Sequence, residues 1–210
     1  RIIETLRSVR KQKKIFLFLI AFFFFIDGVY TIIDMATAYG SALGLDSTGL
    51  LLALLVTQFV AFPFSILFGR LAEKYDTGKL ILTCIAAYTG ITVFAVFMKA
   101  QWQFWVLAIF VGMFQGGIQA LSRSYFAKIV PPERSGEYFG LMDICGKGAS
   151  FMGTTVVGLA SQAFGSINIG VSAIVFLFLA GALFFMKTEH SGSESMKNQE
   201  NIIMEQQMFH

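Results

Sequence analysis

Charge is scarce in this chain. Asp, Glu, Lys and Arg together make up 14% of its 210 residues, where soluble domains carry about a quarter. Histidine is scarcer still. The two present, His190 and His210, lie beyond the last apolar stretch, so no imidazole is available inside that part as a metal ligand or general base. The two cysteines, Cys84 and Cys145, both fall within apolar stretches. They read as buried thiols, with neither a disulfide framework nor metal-ligand spacing. A cleavable leader with a small-residue processing site is missing from the first residues. The net charge of +3 is spread over several loops and not gathered on one face, so it is no argument for a nucleic-acid partner.

Apolar residues fill the space that charge leaves. They account for 56% of the chain, and Phe alone occurs 24 times. They are arranged in six runs, at 15–41, 49–68, 80–98, 102–126, 138–164 and 167–186. A helix needs about 20 mostly apolar residues, rising 1.5 Å each, to cross a bilayer. Each run meets that length or comes within a residue of it. The pattern predicts an all-α, polytopic membrane protein with six transmembrane helices. It divides the chain into a basic connector at 1–14, a six-helix transmembrane unit at 15–187 and a polar tail at 188–210, whose composition predicts disorder.

The basic residues predict orientation. Arg1, Arg7, Arg10, Lys11, Lys13 and Lys14 precede the first run, against one acid, Glu4. Arg70, Lys74 and Lys79 lie between the second and third runs, Arg123, Lys128 and Arg134 between the fourth and fifth, and Lys187 and Lys197 after the sixth. The three intervening turns hold only Lys99. The positive-inside rule therefore puts both termini and both basic loops in the cytoplasm. A first residue that is Arg, in a basic amphipathic stretch, predicts a start within a longer protein.

Two cytoplasmic segments carry motifs. In FGRLAEKYDTGKLIL, Gly69, Leu71, Glu73, Lys74, Gly78 and Lys79 resemble the loop signature of the major facilitator superfamily. Two departures stand out: Glu fills the acid position usually held by Asp, and one extra residue precedes Gly78. The second segment is more specific. PPERSGEYFGL at 131–141, within QALSRSYFAKIVPPERSGEYFG and the following DICGKGASFMG, is similar to the vacuole-effluxer-like branch of facilitators. Fungal members of that branch are autophagy-related vacuolar amino-acid exporters. The resemblance runs from residue 1 to about 187. It implies that these six helices form the second half of a twelve-helix facilitator fold, with the N-terminal six-helix half as their missing partner and a bacterial cell membrane as their location. GLMDICGKG is not a phosphate-binding loop, since five residues separate Gly140 from Gly146 and Gly148 stands in place of Ser or Thr.

A charge at the bilayer centre costs about 2.5–3.5 kcal/mol on insertion scales, so the few intramembrane polar residues are the candidate site. Asp27 and Asp34, seven apart, fall on one helix face. Asp27 lies about 18 Å into its run, close to the midplane, and Asp34 about 28 Å in, near the outer interface. The depth favours Asp27 as a proton or cation site, against a structural role between helices. Asp143 and Lys147 are spaced i,i+4 and predict a pair along one helix, equally explained as self-neutralisation for insertion. Lys147 is also placed to face Asp27. Gln58, Gln115 and Gln119 offer amides to a polar substrate, and helix-to-helix bonding is the competing role for each. Gly112, Gly116 and Gly117 allow close approach of a backbone or ligand. Pro63 can bend the second helix. For gating, Glu73 is expected to pair with Arg123 and to cap the fifth helix, with Asp143 nearby.

These features predict secondary transport of a small polar solute by alternating access, coupled to H+ or another cation, with no cofactor and no enzymatic role. The resemblance implies amino acids as substrates. Two other classes compete: a membrane-embedded enzyme, which would need convergent catalytic groups beyond the two acids of the first helix, and a half-size scaffold that dimerises.

Overall fold

Aspartates fix where two of the helices begin. Asp46 Oδ2 accepts from the Gly49 N–H at 2.7 Å, and Asp76 Oδ1 accepts from the Lys79 N–H at 2.9 Å. Each satisfies a donor that a helix N-terminus leaves open. The computed structural model describes residues 9–208, with side-chain surroundings given for 9–192. Its helices are α1 (Lys13–Ala42), α2 (Ser47–Lys74), α3 (Thr77–Val96), α4 (Gln101–Ile129), α5 (Ser135–Phe164) and α6 (Ile167–Met208), with a 3-10 turn at Pro132–Arg134 before α5. All six expected helices are present. Among the described residues, five are long and apolar enough to cross a membrane. The remaining one, α5, is just as long at 30 residues, but Glu137, Asp143, Lys147 and its glycines dilute its apolar character. The fold is that of an all-α, polytopic membrane protein, half of a facilitator fold.

The connections are short, so successive helices alternate in direction. Packing follows an inverted repeat. Exchanging α1–α3 for α4–α6 maps the large α2–α4 contact onto α5–α1, and the α3–α4 contact onto α6–α1. The symmetry is incomplete: α5 packs on α6 while α2 and α3 make at most a marginal contact, and α1 touches α2 more than α4 touches α5.

Glycines and aromatics hold the bundle. A Cβ on Gly112 would lie 2.6 Å from the Thr57 carbonyl oxygen, and one on Gly116 would strike the Ala61 carbonyl. Small residues thus bring the α4 and α2 backbones together, as expected where lipid removes the hydrophobic drive between helices. The Thr57 hydroxyl, 3.1 Å from the Ala108 carbonyl, ties the same seam. At the end bearing the basic loops, Phe18 is fully buried and stacks on Tyr125 and Phe126 at 5.2 and 5.3 Å. Elsewhere the surface is apolar: Phe59, Phe62, Phe151 and Phe176 are each more than 70% exposed, which suits lipid or another helix and not water.

The last helix continues beyond its apolar run. The stretch after residue 187 is helical as far as Met208. Thr188 is buried and Glu189 accepts a hydrogen bond from the Tyr125 hydroxyl, so the first turn past the apolar run is fastened to α4. No proline follows to stop it. The connector at 1–14 and the tail lie partly outside the described residues, at 1–8 and 209–210.

Candidate functional site

Charged and polar side chains of three helices converge on one cleft of about 520 Å³. From α1 come Tyr30 and Asp34, from α4 Gln119 and Arg123, and from α5 Asp143, Lys147 and Ser150. The cleft lies where α1 and α4 stand apart, since their contact is among the smallest in the bundle. Helix periodicity explains each contribution. Gln119 and Arg123 are four apart on α4. On α5, Asp143, Lys147 and Ser150 follow one another at spacings of four and three, which is one face.

Within the cleft, Arg123 donates to Asp143 at 2.9 Å, and both side chains are about half exposed, at 59% and 51%. This corrects two expectations. Asp143 pairs across the cleft with Arg123, not along its own helix with Lys147. Arg123 therefore does not pair with Glu73, which makes no ion pair among the described residues. Glu73 does not cap α5 either: the residue at that cap is Arg134, which pairs with Glu137 at 2.6 Å. The physical reason is direction. Arg123 opens onto the cleft toward α5, and its guanidinium meets the acid that faces it. The acid that shapes the loop after α2 is Asp76, which the motif reading passed over although D-T-G-K is a helix-start signature. Half-exposed ion pairs contribute about 1 kcal/mol or less. A double-mutant cycle with Arg123→Ala and Asp143→Ala in the intact protein should accordingly yield a coupling energy no larger than that in thermal unfolding.

The two acids of α1 separate. Asp34 lies in the cleft, where its Oδ2 accepts from the Ser150 hydroxyl at 2.8 Å. Asp27 is fully buried behind it. Its Oδ1 accepts from the backbone N–H of Gly153 at 2.8 Å, with the Thr31 hydroxyl at 3.4 Å, and its Oδ2 has no partner among the described residues. A Cβ at Gly153 would overlap Asp27 and Thr31, so the bare glycine is what admits the carboxylate. Lys147 thus faces Asp34 and Asp143 in the cleft, while Asp27 is sealed from it. Lys147 itself makes no ion pair or hydrogen bond among the described residues.

The amides divide as well. Gln119 lines the cleft. Gln115, one turn away, lies outside it, and its Oε1 is buried without a partner among the described residues. Gln58 borders a small apolar cavity of about 80 Å³ toward the other end of the bundle. The glycines beside Gln115 meet α2, not a ligand. Asp34, Ser150 and Tyr30 are cleft residues that sequence reasoning left out of the site. The seven-residue spacing of the two acids pointed to Asp34, but depth was given more weight.

Comparison with known proteins completes the description. A family model described as "Vacuole effluxer Atg22 like" matches residues 1–197. The chain is 43% identical over 201 residues to an uncharacterised MFS-type transporter, YxiO, of Bacillus subtilis, covering 96% of this chain and 47% of that protein. It is 28% identical to autophagy-related protein 22-2 of Aspergillus clavatus, covering 86% of this chain and 31% of that one. Autophagy-related protein 22 of Cryptococcus neoformans is 27% identical, with 82% and 34% covered. The chain therefore spans about half or less of the length of these curated relatives.

Proposed function

Since the chain belongs to the vacuole effluxer Atg22-like branch of the major facilitator superfamily, we propose that it is the second six-helix half of a twelve-helix secondary transporter. It moves a small polar solute by alternating access, and amino acids are the substrate class that the family resemblance implies. The observation that carries this reading is the cleft. It gathers Asp34, Gln119, Arg123, Asp143 and Lys147 between three largely apolar helices, where the insertion cost of charge requires a purpose. A zwitterion fits its two poles, with a carboxylate at Lys147 and an ammonium at Asp34. The Arg123–Asp143 pair closes one side. Lengths of the relatives support a partner half of six further helices, against which α2 and α5 would lay their exposed apolar faces. The distribution of Lys and Arg supports cytoplasmic termini, and the likeness to a Bacillus subtilis transporter supports a bacterial cell membrane. Asp27 is the site for the coupling proton or cation.

The test is uptake by proteoliposomes holding the intact protein, screened over radiolabelled amino acids with and without an imposed pH gradient. Uptake above protein-free vesicles, stimulated by the gradient, is the expected result. No uptake of any amino acid under either condition would overturn the substrate class.

A further inference from the structure

Both acids of α1 grip the same turn of α5. Ser150 and Gly153 are three residues apart. Ser150 is held by Asp34, inside the cleft. Gly153 is held through its backbone N–H by Asp27, which is fully buried. The second oxygen of Asp27 is buried with no partner among the described residues. A carboxylate in a dry site wants donors on both oxygens; this one has none for Oδ2. We propose that residues 150–153 of α5 couple solute occupancy of the cleft to protonation of Asp27. The inference rests on the transporter reading and names how its site is regulated.

The mechanics follow from the bonds. When an opening of the bundle lets water reach Asp27, a proton adds to Oδ2, and the charge-assisted bond from the Gly153 N–H to Oδ1 becomes a bond to a neutral acid, about half as strong. In the cleft, a solute ammonium competes with the Ser150 hydroxyl for Asp34. Each event frees the same turn of α5 from α1. Each therefore makes the other easier, and the coupling is reciprocal. Solute binds more tightly as pH falls, and solute binding draws a proton on. Measured couplings of this kind run from about 5-fold to 150-fold, and about tenfold is expected here. The titratable groups on neighbouring faces are Tyr30 and Asp34 of α1, Asp143, Cys145 and Lys147 of α5, and Arg123 of α4. Helix α6 has none between 167 and 186. In α3, Tyr88 lies beyond Phe178, on which it stacks. None of these bonds to Asp27, so Asp27→Asn isolates its titration from theirs.

Hydrogen exchange of peptides spanning 146–158 tests the turn directly, in the intact protein in lipid nanodiscs, corrected for intrinsic rates. Wild type should lose protection between mildly alkaline and mildly acidic pH. Asp27→Asn should be unprotected and flat across the same range. Asp34→Ala, which releases the Ser150 hydroxyl as a competing solute would, should raise exchange at alkaline pH. Equal wild-type protection at both pH values, or no change in Asp34→Ala, would overturn the proposal. Uptake of an equimolar mixture of radiolabelled amino acids supplies the second arm. The wild-type KM should fall about tenfold on acidification. Ser150→Ala should flatten that dependence and Ser150→Thr should restore it; a slope unchanged in Ser150→Ala also overturns the coupling. Absence of any wild-type uptake sinks the transporter reading instead, and the exchange experiment then decides the coupling turn alone.

Discussion

Gly153→Ala is expected to destabilise the protein by about 2–6 kcal/mol and to abolish transport. The added methyl would occupy the space of the Asp27 carboxylate and the Thr31 hydroxyl. Overpacking a tight interior costs about 1–3 kcal/mol. Displacing Asp27 also breaks its buried bond to the Gly153 N–H, and a buried polar group left unpaired costs about 1–3 kcal/mol more. The control is built into the same helix. A methyl added at Gly148 or Gly158 would meet nothing within 4 Å in this half, so alanine there should cost less than at Gly153, and gains about 0.5–1 kcal/mol of helix propensity where no partner half covers it. Thermal unfolding of the detergent-solubilised intact protein checks all three. A drop of at least about 5 °C is expected for Gly153→Ala alone. Similar midpoints for the three variants would show that Asp27 does not sit against that turn.

Lys147→Met should leave the fold intact and weaken solute binding by roughly 10- to 100-fold. Lys147 lines the cleft without an ion pair or hydrogen bond among the described residues, because Asp143 is taken by Arg123 and Asp34 is held by Ser150. Methionine keeps the length of the stem and removes only the charge, so little stability is lost. A hydrogen bond to a charged group is worth about 1.5–3 kcal/mol, which sets the range. Uptake kinetics in proteoliposomes should show a raised KM with the thermal midpoint unchanged. An unaltered KM would take Lys147 out of the solute site.

The helices were legible because lipid imposes a length on anything that crosses it, and hydropathy reads that length directly. Their polar ends were not. Glu73 and Lys74 are helical although they lie beyond the apolar run, since a helix in water at its end loses nothing by continuing. The site was half legible. Seven-residue spacing placed Asp27 and Asp34 on one face of α1, and both do address α5. Which of them opens to a cavity depends on how far neighbouring helices stand apart, and that separation leaves no trace in the spacing. Depth therefore chose Asp27, and the cleft holds Asp34. The i,i+4 rule failed for Asp143 and Lys147 for a related reason. A local pair is worth only about 0.2–0.5 kcal/mol, and a guanidinium arriving from another helix displaces it. Glycine was ambiguous in sequence between a ligand and a neighbouring backbone; at Gly112 and Gly116 the neighbour is α2.

That seam has a mechanical corollary. With carbonyl groups of α2 lodged where α4 has no side chain, the two cannot slide or pivot on each other without first prising apart. They travel as a single plank. Under the proposed transport cycle, the rearrangement that exposes the solute would be taken up along the looser border on the far bank, where α1 stands off from α4 and a half-exposed guanidinium–carboxylate strut reaches across to α5.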